Sequence, residues 1–316
     1  MNSYFLPVGL VLALAAAMLE PAPGKVLHDV GIVPWMVVTI FLVNGYQMDL
    51  TKLPRATRVL RASIVGVVIS LLISPLIGLA VVTALSVPAD IALGLVVMAT
   101  VPPTLTAGIV MTRAAGGNAP KAMFLTILLN LVGVFTIPFM LQLTLGSAGL
   151  VSISPLPMFK QLVLLVLVPF VAGAALQSFV LASSLRWLLR FLPSACVITT
   201  VWVSASASSE LLMGLDLGSL LLVLVGAFGI HGSLLLLCWM SRYIYRPEHG
   251  EWLALLFTAS QKTLPIAVGV LALLDQAVGV AIVACIIFHF MQLLIDSVIA
   301  SRMARYAEGG TSSGQP

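Results

Sequence analysis

The chain has 316 residues, 60% of them hydrophobic and only 8% charged, with a mean hydropathy of +1.16. That balance excludes a water-soluble fold and defines an all-α, polytopic membrane protein. The net charge of +4 does not point to nucleic acid, because the basic residues are scattered between apolar segments and form no single patch.

A transmembrane helix needs about 20 apolar residues. The chain offers ten such segments, at 4–20, 30–46, 62–84, 91–111, 122–143, 161–182, 194–212, 219–241, 252–273 and 278–300. Turn and breaker signals separate them, among them Pro21-Ala22-Pro23-Gly24, Gly116-Gly117-Asn118 and Pro247-Glu248-His249-Gly250. The first segment opens Met1-Asn2-Ser3-Tyr4-Phe5 with no basic stretch before it, so it is expected to be a retained span and not a cleaved signal peptide. One membrane unit is expected over 1–306, followed by a disordered polar tail at 307–316. Cys196, Cys238 and Cys285 all fall in apolar segments without metal-ligand spacing, so they are expected as core residues, with no metal or cofactor.

Twelve of the fifteen Lys and Arg residues fall in loops and ends on one side of this arrangement, only Lys25 and Lys160 on the other. The positive-inside rule makes the twelve cytoplasmic, which places both termini in the cytoplasm and the protein in the cytoplasmic membrane. Ten spans divide into two sets of five, at about 1–150 and 151–306. Five is odd, so the second set enters from the opposite side, and repeats of this kind are inverted. At an offset of 159 residues, Pro102-Pro103-Thr104-Leu105 lies over Gln261-Lys262-Thr263-Leu264, and Asn130 over His289.

Lys262 is the remaining basic residue, and it lies inside the ninth segment, in Ser260-Gln261-Lys262-Thr263-Leu264-Pro265. A lysine at membrane depth is costly and usually kept for function. In the fourth segment Pro102 and Pro103 remove two backbone donors and disfavour helix before them. Both spans should unwind at these points, and the freed backbone groups must face protein or water. Two broken helices that cross near the midplane present half-helix N-termini, which with Lys262 suit a carboxylate or another small anion. Pro102, Pro103, Thr104 and Thr106 are expected to form one wall of a substrate site, and Ser260, Gln261, Lys262 and Thr263 the other. Lys262, Asn130 and His289 are candidates for an ion or proton relay. His231 reads as packing, and Glu210 and Asp296 as acids near span ends. Ser204 and Ser208 share one helical face and suit either close packing or a polar cavity. Asn44, Gly45 and Gln47 end the second span.

Three stretches resemble a known family. Phe41-Leu42-Val43-Asn44-Gly45-Tyr46-Gln47-Met48 resembles the F-x-x-x-G-L-x-L stretch of the bile acid:sodium symporter superfamily. Pro102-Pro103-Thr104 and Val110-Met111-Thr112-Arg113-Ala114-Ala115-Gly116-Gly117-Asn118 resemble motifs of its SBF-like branch, as does Ser260-Gln261-Lys262-Thr263-Leu264. The resemblance implies ten helices in a core and a panel, crossed broken spans four and nine, and an organic anion carried with sodium. Most sodium ligands of the sodium-coupled members have no counterpart. The serine-asparagine pair falls on Thr106-Ala107-Gly108-Ile109 and the glutamate on Phe257, while Gln261 matches the glutamine.

The reading is a secondary transporter of a small organic anion, coupled to Na+ or H+ and working by alternating access, with transport expected not to require sodium. The rivals are a cation/proton antiporter on the same architecture and a regulatory membrane protein that does not transport. An enzyme is not expected, because G-x-S-x-G and H-E-x-x-H motifs and paired metal-binding acids are missing.

Overall fold

The computed structural model describes residues 5–48, 53–55, 59–146, 149, 151, 154–178, 183–274 and 278–312. Lys52 and Arg58 of the basic set, and the last residues of the expected tail, 313–316, lie outside them. Every regular element among the described residues is helical. In chain order these are α1 (Phe5–Leu19), α2 (Ala22–Asp29), α3 (Ile32–Gln47), α4 (Leu60–Val67), α5 (Ser74–Ala84), α6 (Ala89–Thr100), α7 (Ala107–Ala114) and α8 (Ala119–Leu141). They continue as α9 (Pro155–Leu162), α10 (Val168–Ala175), α11 (Ser183–Ala207), α12 (Ser209–Met213), α13 (Leu217–Tyr245), α14 (His249–Ala259), α15 (Leu264–Leu271) and α16 (Gly279–Ser312). A π-helical stretch, Val68–Ile73, joins α4 to α5, and another, Val163–Leu167, joins α9 to α10.

Six helical runs are long and apolar enough to cross a membrane: Leu60–Ala84, Ala119–Gly146, Pro155–Ala175, Leu217–Tyr245, His249–Leu271 and Gly279–Ala304. The pair α1 and α2, bent by 100°, makes a seventh if taken as one span. α3, α6 and Phe191–Ala207 are apolar but shorter. Span four falls short because its chain is helical only to Thr100 and again from Ala107. The stretch 21–24, expected as a turn, instead starts α2. Its prolines stand at the cap and in the first turn, where no backbone donor is needed. α16 continues as helix through Ser312, past the point where the sequence suggests that the fold ends.

Two sets of helices pack within themselves. α3 lies against α10 and α11, and α1 against α11; the other set is built from α5, α6, α7, α8, α13, α14 and α16. Within it α6 is buried from Ile91 to Thr100, and α14 from Glu251 to Ala259. A helix that is apolar all round belongs in the middle of a bundle, so these two stems, each leading to a break, form the centre of the molecule. Glycines set the closest approaches. A Cβ on Gly45 would lie 2.1 Å from the Phe170 carbonyl oxygen, and one on Gly173 only 1.9 Å from that of Leu42. α3 and α10 therefore touch backbone to backbone through a reciprocal glycine pair. Gly279 makes a different close contact, with a side chain: a Cβ there would lie 1.8 Å from the Ser208 Cβ. Of the two roles open to the serines of span seven, Ser208 takes close packing. The three cysteines are buried in the apolar core.

Candidate functional site

The two breaks come together. α6 ends at Thr100 and α7 begins at Ala107, with Pro102 and Pro103 in the unwound segment between them. α14 ends at Ala259 and α15 begins at Leu264, with Ser260 to Thr263 between. The Thr263 N–H donates to the Pro102 carbonyl at 2.9 Å, and the Thr104 hydroxyl to Gln261 Oε1 at 2.8 Å. One backbone and one side-chain bond thus tie residues about 160 positions apart. They satisfy groups that no helix ladder reaches and that lipid cannot serve.

Neighbouring helices hold each break open. The Asn130 side-chain amide, from α8, donates to the Pro103 carbonyl at 3.0 Å. Gln292, from α16, grips the backbone of Lys262 on both sides. Its Oε1 accepts from the Lys262 N–H at 3.0 Å, and its Nε2 donates to the Lys262 carbonyl at 2.6 Å. The ring of His289 stands 3.1 Å from the same Nε2. Asn130 and His289, paired by the sequence offset, therefore each stand beside one break, although His289 reaches it through Gln292. Gln292 itself is missed by sequence reasoning, since a single glutamine in an apolar segment has no local partner to mark it.

The structure departs from the sequence expectation at His231 and Asp296. His231 is not packing alone, and Asp296 is not at a span end; both are fully buried. His231 Nε2 lies 3.0 Å from Asp296 Oδ1, while its Nδ1 lies 3.3 Å from the Ser260 carbonyl. Asp296 Oδ2 accepts from the Gln261 amide at 2.8 Å. A chain of polar contacts therefore runs from His231 through Asp296 and Gln261 to Thr104, crossing from α13 and α16 to both breaks. The reason is placement: α16 extends past residue 300, which leaves Asp296 well inside the helix. Glu210 does lie at an exposed end, where it pairs with Lys25 at 3.4 Å.

Lys262 is fully buried. Its ammonium donates to the Ser70 carbonyl at 2.6 Å and lies 3.3 Å from the Ser70 hydroxyl. It points towards span three. Four residues along, the Ser74 hydroxyl donates to the Ala99 carbonyl at 2.5 Å, just before the first break. Span three is thus a common support for both breaks.

A cavity of about 180 Å³ lies on the other side of the crossing. The core side of its wall carries Thr104, Thr106, Thr263 and His289; Asn44 and Gln47 of α3 and Ser194 of α11 face them. It continues into a second hollow of about 270 Å³, with which it shares Asn44, Gln47, Leu105 and Thr106 and which reaches Arg113. Of the expected site residues, Thr104, Thr106, Thr263 and His289 line this cavity. Pro102, Pro103, Ser260, Gln261 and Lys262 build the crossing behind it and are not in its wall. The contributions of Asn44, Gln47 and Ser194 depend on how α3 and α11 are turned, which apolar sequences of this kind do not signal.

Interrupted helices that meet beside a cavity with polar groups in a mostly apolar wall, in an apolar chain whose described elements are all helical, mark a multi-pass membrane transporter. The particular family follows from comparison. Residues 4–305 match the SBF-like CPA transporter family, and the chain belongs to it, within the bile acid:sodium symporter superfamily that its motifs resemble. It is similar to the probable sodium/metabolite cotransporter BASS4, chloroplastic, of Oryza sativa subsp. indica, at 26% identity over 95% of this chain and 75% of the relative. It is 25% identical to the sodium/bile acid cotransporter 7 of Mus musculus, over 92% of this chain and 90% of the relative. An uncharacterised protein of Pseudomonas aeruginosa is 27% identical over 95% of this chain and 94% of that one.

Proposed function

We propose that the protein is a secondary transporter that carries a small organic anion by alternating access, as one membrane unit of ten spans in two inverted repeats. The observation that supports this most directly is the meeting of the two breaks, where Thr263 bonds to Pro102 beside a cavity shared by the two sets of helices. The polar groups in its mostly apolar wall are hydroxyls, amides and one imidazole, with Arg113 at the far end. Such a lining hydrogen-bonds a carboxylate or sulfonate without adding a negative charge of its own. In this reading Thr104, Thr106 and Thr263 touch the anion. Pro102, Pro103, Ser260, Gln261 and Lys262 fix the crossing, and Asn130 and His289 respond to the bound ion or proton. The wall formed by α3 and α11 rocks against the crossing. Arg113 and Lys121 belong to the basic side, so the hollow opens to the cytoplasm, and both termini lie there too.

Sodium or a proton drives the anion. Two of the three relatives carry sodium in their names, and one observation supports that ion here: Thr126 Oγ1 and Asn130 Oδ1 of α8 and Thr258 Oγ1 of α14, two helices that pack together, are buried without a hydrogen-bond partner among the described residues. Buried oxygens of this kind suit a hard cation, which runs against the expectation of sodium-independent transport. The test is a thermal-shift screen of purified protein against carboxylates, sulfonates and sterol acids in sodium or choline buffer, followed by uptake in proteoliposomes. Stabilisation and saturable uptake of one acid class support the proposal. Cation or proton flux with no organic substrate favours the antiporter reading. Failure of every anion in both assays rejects the organic-anion reading.

A further inference from the structure

We propose that the Lys262 ammonium is a tethered internal cation, seated in a cation site that the backbone of span three builds for it. The site begins with a defect in the helix ladder. In an α-helix the Ser70 carbonyl would accept from the N–H of Ser74, but across the π-helical stretch Val68–Ile73 that N–H is given to the Ile69 carbonyl instead. In a π-turn it would accept from the next residue, which is Pro75 and has no N–H. Both ladder donors are thus removed at one carbonyl, deep in the bundle, where an unpaired carbonyl is costly. The Lys262 ammonium fills the vacancy at 2.6 Å, with the Ser70 hydroxyl at 3.3 Å.

The ligands presented are a backbone carbonyl and a hydroxyl, neutral oxygens of the type that hard cations take. Among the described residues no carboxylate forms an ion pair with Lys262. The cation is therefore held by dipoles and not by a paired charge. The geometry also explains what the lysine does. Its backbone is gripped by Gln292 of α16 and its side chain by span three, so this one residue pins the unwound part of span nine to helices on two sides. An exchangeable monovalent cation at the same place would do the second of these only while bound. This goes beyond the organic-anion proposal, and its readout is melting and not uptake, so the failure of either leaves the other standing.

The test shortens the tether. Purified wild-type protein, Lys262→Ala and Lys262→Met are melted at constant ionic strength in lithium, sodium, potassium or choline chloride. The wild-type melting temperature in each salt is the reference, because a coupling cation bound elsewhere shifts wild type and variants alike. Lys262→Ala should melt lower in choline and recover saturably with one of the three alkali cations. Lys262→Met fills the space without charge, and should melt lower without recovering. The Pro75→Ala variant supplies the missing N–H at Ser70, so Lys262→Ala should cost less in that background than in the wild type. Equal response of Lys262→Ala to choline and to alkali cations would overturn the proposal, as would an alkali response in the wild type as large as in the variant. Should Lys262→Ala fail to fold, the Pro75→Ala background decides. Recovery of folded Lys262→Ala/Pro75→Ala supports the proposal, and failure to recover it rejects it.

Discussion

Gln292 bonds to both the N–H and the carbonyl of Lys262, a task that in a regular helix belongs to residues four positions away on either side. Gln292→Ala leaves both groups buried and unpaired. Each orphan costs about 1–3 kcal/mol, so the variant should melt well below the wild type, and Gln292→Leu, which restores only volume, should not rescue it. If Gln292→Ala melts like the wild type, the clamp carries no stability. His231 and Asp296 form the second residue-scale unit. The His231 ring faces the carboxylate with one nitrogen and the Ser260 carbonyl with the other. Asp296→Asn puts an N–H where a carboxylate oxygen accepts, against either the Gln261 amide or the ring. Because the members share partners, their losses should not add. In a double-mutant cycle of His231→Ala and Asp296→Ala, the pair should lose less stability than the sum of the single changes. Simple additivity would show that the contact is incidental.

At the scale of elements, the helices meet where side chains are missing. α3 and α10 cross through Gly45 and Gly173, each with the other helix's backbone within about 2 Å of the place its Cβ would occupy. α7 meets α14 in the same way, since a Cβ on Gly108 would lie 2.9 Å from the Phe257 carbonyl oxygen. Backbone cannot step aside as a flexible side chain can. Gly45→Ala and Gly173→Ala should each reduce the yield of monodisperse protein and lower its melting temperature. Gly232→Ala is the control, because nothing lies within 4 Å of its Cβ position and α13 surrounds it. Alanine there should be neutral or slightly stabilising, by up to about 1 kcal/mol. If all three variants behave alike, the close crossings do not limit packing.

For the molecule as a whole, the proposal of alternating access makes the cavity reachable from one side at a time. Thr106 is exposed and lines both hollows. With the native cysteines buried, Thr106→Cys should be labelled by a membrane-impermeant maleimide from the cytoplasmic side of oriented vesicles. A transported anion should slow the labelling. Labelling only from the opposite side would reverse the proposed orientation. A reporter fused after Pro316 gives an independent reading of the same orientation, and is expected to be cytoplasmic.

The sequence by itself determined the membrane class, the family, the two breaks and the residues that must be unwound. All of these are local properties: hydropathy over a window, proline chemistry over two or three residues, short motifs. It also paired Asn130 with His289 by their offset of 159 residues, and each stands beside one break. The tertiary structure decided where the polar groups point. Lys262 and Ser70 are 192 positions apart, and no local pattern says that the lysine turns to span three and not to the cavity. Asp296, His231 and Gln292 lie in segments apolar on every face, so the sequence offers no period from which to read which way each helix is turned. Their roles appear only when α13, α14 and α16 come together around the second break. A buried polar group must find a partner wherever the fold supplies one, and here the partners come from other helices and not from the residue's own.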